Sequence, residues 1–127
     1  MQKPVQIHQF DPVIYPVKLW VSFTKDLTPI ADRFKQIDNK EFDSEFTDYL
    51  EAFAQPVIEK ETGLYGIIVV FRNKKISASL MAHEAAHVNQ LIWTRINEDT
   101  IGMEAEAYLL EWVVDCLDQV NRNKFKV

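Results

Sequence analysis

Ile76-Ser77-Ala78-Ser79-Leu80-Met81-Ala82-His83-Glu84-Ala85-Ala86-His87-Val88-Asn89-Gln90-Leu91-Ile92-Trp93 is an unbroken helical stretch with no Gly or Pro. Within it, His83-Glu84-Ala85-Ala86-His87 reads H-E-x-x-H. Histidines four apart lie on one helix face, one turn above each other, so both imidazoles can reach one ion. Zinc takes imidazole nitrogen at about 2.0–2.1 Å and favours a tetrahedral shell. Glu84 follows the first histidine directly and can stand beside the metal rather than on it. From there it can take a proton from a water on the zinc.

Outward from this helix, the chain reads as a single domain over residues 1–127. That is long enough for a real core, with 47% hydrophobic and 26% charged residues. A net charge of −5 argues against a nucleic-acid-coating surface. The nearest basic cluster, Arg72-Asn73-Lys74-Lys75, reads as a solvated loop. Cys116 is the single cysteine, so no intrachain disulfide can form; its helical setting marks it as a small buried hydrophobe. No apolar run has transmembrane length and Met1-Gln2-Lys3-Pro4 opens no secretory signal, so a cytoplasmic protein is expected.

Upstream, Val5 to Phe10 alternates like a half-buried strand, and Val13 to Thr24 suits a second one made irregular by Pro16. Asp32 to Glu41 reads as a loop or short helix. Asp43 caps a predicted helix with Phe46, Tyr49, Leu50 and Phe53 on one face, ended at Gln55-Pro56. Pro56 to Lys60 and Leu64 to Arg72 read as two strands of a hairpin, with Gly63 supplying a positive φ. Gly66 to Phe71 is the most hydrophobic run, read as a strand covered on both faces or an edge strand over a cleft. The motif helix spans about Ile76 to Ile96. After the polar connector Asn97 to Thr100, a last helix spans about Ile101 to Asn121. The fold expected is α+β: a small mixed or antiparallel sheet packed on the motif helix and the C-terminal helix.

A zinc site needs a third protein ligand and an open position. His8 is remote, and the last helix offers Glu104, Glu106 and Glu111 instead. Its apolar arc centres near Leu109, Val113 and Val120. Glu106 falls inside that arc, where a metal would compensate its charge. Glu104 sits at the margin, in line with Tyr108. His83 and His87 lie at the edge of their own helix's arc, beside Leu80 and Leu91. Two helices meeting at such margins favour Glu104 slightly, and periodicity leaves Glu106 open.

H-E-x-x-H followed by a second helix bearing a glutamate resembles the gluzincin branch of zinc metallopeptidases. Glu104-Ala105-Glu106-Ala107-Tyr108-Leu109 further resembles the E-A-x-A-Y signature of small phage and prophage proteins with a minimal gluzincin-like domain. The resemblance covers roughly the last two fifths of the chain. It implies a zincin-like fold, with Glu104 as the third ligand and Glu106 at a variable position. Many gluzincins carry an acidic residue where this chain has Tyr108, which could instead hydrogen-bond a ligand or a substrate oxyanion. The hairpin at Pro56 to Arg72 would supply the substrate-flanking edge strand. The activity implied is zinc-dependent cleavage of a peptide or protein substrate, with host cytoplasm as the setting if the gene is a phage's. Against it stands a non-enzymatic phage or prophage protein that keeps the metal for structure or binding, and beyond that an interaction module with no metal.

Overall fold

The structure is a computed structural model that describes residues 5–12, 17–44, 50–96 and 103–123, the side chains of the last segment from Ala105 onward. In chain order the elements are β1 (His8–Phe10), β2 (Lys18–Phe23), α1 (Thr28–Arg33), β3 (Phe34–Gln36), β4 (Ala52–Glu59), β5 (Tyr65–Phe71), α2 (Ala78–Ile96) and α3 (Met103–Asn123). The strands form one mixed sheet in the order β1-β2-β5-β4-β3. The architecture is therefore α+β, as expected.

The run from Gly66 to Phe71 is buried throughout because β5 is the central strand. It pairs in parallel with β2 and antiparallel with β4, from Ala52↔Phe71 to Ile58↔Tyr65. Both faces are covered, which is why the run shows no alternation. Ile67, Val69 and Phe71 join Leu19 and Val21 of β2 under α2 and α3. Ile68 and Val70 point the other way and join Trp20, Phe53, Val57 and the α1 residue Ile30. Gly66 has a packing reason: a Cβ there would overlap the Trp20 ring and the Lys18 carbonyl. The alternative of an edge strand over a cleft is thereby corrected. With both backbone edges of β5 taken by neighbours, it cannot pair with a substrate.

The hairpin forms as read. Gly63 has φ 72, its N–H donates to the Glu59 carbonyl at 2.8 Å, and Glu59 N–H donates to Leu64 at 2.9 Å. The upstream strand begins earlier than expected, at Ala52, so the extension of the predicted helix through Phe53 to Gln55-Pro56 is also corrected. Phe53 and Val57 share a face at strand spacing, and seven ladder pairs with β5 outweigh a local helical pattern. Phe46 and Tyr49 lie outside the described residues. Pro56 is tolerated within β4. The odd-numbered residues of β4 turn their N–H groups to β5, as Glu59 does. Pro56 thus faces the other side, just past the last β3 pair, Gln36↔Val57, where no donor is needed.

The Asp32 to Glu41 segment holds the end of α1, then β3 and a turn with Asn39 at φ 70. β1 is shorter than read, starting at His8, and residues 13–16 of the second predicted strand lie outside the described residues. Ser77 starts α2: its Oγ accepts the Leu80 N–H at 3.1 Å and its carbonyl accepts Met81 N–H at 3.1 Å. Among the described residues no helix is long and apolar enough to cross a membrane.

Candidate metal centre

α2 buries Met81, Ala85, Val88 and Ile92 against the sheet and α3. At 100° per residue, His83 and His87 fall on the far side of that stripe. Both are exposed, His83 with 64% of its side chain in solvent. The expectation that they sit at the edge of the apolar arc is corrected. Leu80 and Leu91 are half-buried at that edge, and the imidazoles stand further out.

The two Nε2 atoms are 3.2 Å apart, with the rings edge to face at 80°. Two nitrogens at about 2.0–2.1 Å from one tetrahedral ion stand roughly 3.3–3.4 Å apart. The pair thus presents the spacing that a shared ion requires, through two neutral imidazole lone pairs. Without an ion, the same spacing suits a hydrogen bond between one protonated and one unprotonated Nε2.

Glu84 differs from an ordinary helix carboxylate. It is 3% exposed, with Oε1 4.0 Å from His83 Nε2. Its Oε2 is buried with no hydrogen-bond partner among the described residues. Burial pushes its pKa above the ordinary value, while the charges of His83 and His87 pull it down less strongly. The carboxylate thus stands buried beside His83, with its other oxygen open to a donor. His83 and His87 thus supply two of the ligands that a divalent ion would need.

The second helix is less complete. Its buried face is Leu109, Val113, Cys116, Leu117 and Val120, the arc read from periodicity. Cys116 is a buried free thiol, pushed up to about 12 by burial and by Asp115. Glu106, read as inside the arc, is exposed, as are Ala105, Ala107 and Tyr108 around it. The core does not reach these first turns, so an arc extrapolated from Leu109 onward overstates their burial. This corrects the burial argument for Glu106 as a ligand. Tyr108 is 66% exposed. Glu104 is the second residue of α3, and its side chain lies outside the described residues. Among the described residues no group of three or more His, Cys, Asp and Glu could hold a metal ion.

Two features escaped the sequence reading. β4 keeps a free outer edge from Ala52 to Gln55 among the described residues, because β3 pairs only with Val57 to Glu59. The exposed face of α2 around the histidines carries no charge: Ser79, Ala82, Ala86 and Gln90 surround them. Counting charges by helix face would have shown the second. The chain matches no protein-family model, no curated protein and no solved structure.

Proposed function

We propose that the chain is a zinc-dependent hydrolase of peptide bonds, a minimal gluzincin-like protein of phage or prophage origin acting in the cytoplasm. His83 and His87 hold the ion, with Glu104 as the third ligand and a position left for water. The observation that carries the reading is the 3.2 Å Nε2 separation beside a buried, unpartnered Glu84 oxygen. When bound, such an ion supplies Lewis acidity, polarising a carbonyl and making water a better nucleophile near neutral pH.

Glu84 does the proton work. It accepts a proton from the attacking water as the O–C bond forms. It returns that proton to the departing amine as the C–N bond breaks, so the carboxylate is regenerated. One of its oxygens has no hydrogen-bond partner among the described residues, which leaves it free to do so. The free edge at Ala52 to Gln55 offers backbone groups to an extended peptide, the role the hairpin was expected to play. Tyr108 is retained as a group for the oxyanion.

The test is Glu84→Gln in the zinc-loaded protein. Hydrolysis of a peptide library falls at least a hundredfold while zinc content stays unchanged. In a second reading the same ligands close around the ion for structure or binding, with no position left for water. On that reading the same substitution leaves every function unchanged.

A further inference from the structure

We propose that the exposed face of α2 is a docking surface for a second copy of this chain, with one divalent ion shared between the two His83/His87 pairs. The inference rests on the histidine pair holding an ion, as the hydrolase reading does, and needs neither Glu104 nor hydrolysis.

Four observations carry it. The Nε2 atoms converge at 3.2 Å on the solvent side of the helix, so the unfilled half of a tetrahedral shell faces outward. Among the described residues nothing supplies that half. Glu84, buried to 3% exposure, keeps an oxygen without a partner and aims the other at His83 Nε2 from 4.0 Å, adding negative charge behind the pair. The exposed stripe Ser79, Ala82, His83, Ala86, His87 and Gln90 carries no charge and little bulk on a chain that is 26% charged.

A two-fold axis through the ion makes the contact isologous, each chain giving the same patch it receives. The two histidines of one chain stand one turn apart along its helix, with their Nε2 atoms 3.2 Å apart. Opposite edges of a tetrahedron are perpendicular, so the two α2 helices cross near a right angle. Ala82 and Ala86 let the backbones approach, and no like charges meet although each copy carries −5. A right-angle crossing buries little area, so the ion supplies most of the attraction and the dimer depends on it. With four imidazoles on the ion no position remains for water, and this form is closed to hydrolysis.

The test is sedimentation velocity of the full chain titrated with zinc. The expected result is a doubling of molar mass that saturates at half an ion per chain and reverses with chelator. His83→Ala and His87→Ala stay monomeric at every ratio. A parent that stays monomeric while binding one ion per chain overturns the proposal, as does a dimer that survives both histidine substitutions. If that monomer loses zinc on Glu104→Gln, the hydrolase reading survives alone. A dimer saturating at half an ion, in a protein that cuts no peptide even when diluted to the zinc-bound monomer, leaves the docking surface standing and removes the hydrolase.

Discussion

Glu59 and Glu84 are both buried carboxylates, 7% and 3% exposed, and their surroundings are opposite. At the end of β4, Glu59 is closed off. Arg33 Nε donates to Oε2 at 2.6 Å and the Thr62 hydroxyl to Oε1 at 2.7 Å. Burial alone would raise its pKa, but the hydrogen bonds from Thr62 and Arg33 and the Arg33 charge hold it below its ordinary value. On α2, Glu84 has an oxygen with no partner and a raised pKa. Equal burial thus separates a carboxylate that ties a hairpin to α1 from one kept available. Satisfied polar groups stabilise a fold; an unsatisfied one is the candidate for chemistry that the predictions below test.

The sharpest way to break this contrast is activity. Glu84→Gln should cost two to four orders of magnitude in kcat, as loss of a general base does, while Glu59→Gln stays within about twofold. Equal losses in a peptide-hydrolysis assay would show that Glu84 has no special role.

Stability should rank them the other way. Glu59→Ala leaves Arg33 and Thr62 without their acceptor and should cost about 1–3 kcal/mol by urea denaturation. Glu84→Gln in the metal-free protein should be neutral or raise the melting temperature, because it removes a charge whose burial the two histidines offset only in part.

The acid limb sharpens the contrast further. Glu59 has a folded pKa below its unfolded value, so its contribution is fully present above the unfolded value, near 4.3. It is lost as pH falls through the folded one. Denaturation midpoints measured between about pH 5 and 3 should therefore fall less steeply in Glu59→Gln than in the parent. The effect should be smaller than that of Glu59→Ala, since a protonated carboxyl still fills its space.

The smallest effect concerns a cation with a softer partner than Glu59. Arg95 lies 4.3 Å over the Tyr65 ring at the far end of α2. Arg95→Ala should cost about 0.5–1 kcal/mol in the same denaturation experiment, and zinc content should not change.

Much of the frame was legible because its signals are local. The hairpin at Gly63 needs a positive φ, and α2 carries helical periodicity without breakers. The burial of Leu109, Val113 and Val120 follows from spacing alone. The misreadings fall where long-range contacts decide. Phe53 fits a helical face with Phe46 and Tyr49, yet its ladder with Val70 makes it strand. Glu106 fits the arc of α3, yet the core ends one turn further on. The helix that carries H-E-x-x-H was legible, and the setting of its side chains was not. No spacing rule says that Glu84 is buried while its neighbour His83 is exposed.

The sequence by itself determined the helix that carries His83, Glu84 and His87, their order along it, and the most hydrophobic strand. Each depends on residues within a turn or two of one another. Tertiary structure alone decided that β5 is central rather than an edge, that β4 is unpaired on its outer side from Ala52 to Gln55 among the described residues, and that one Glu84 oxygen has no hydrogen-bond partner there while Glu59 has two. Strand neighbours and buried hydrogen bonds join residues far apart in the chain. Their free energy depends on which surfaces finally exclude water.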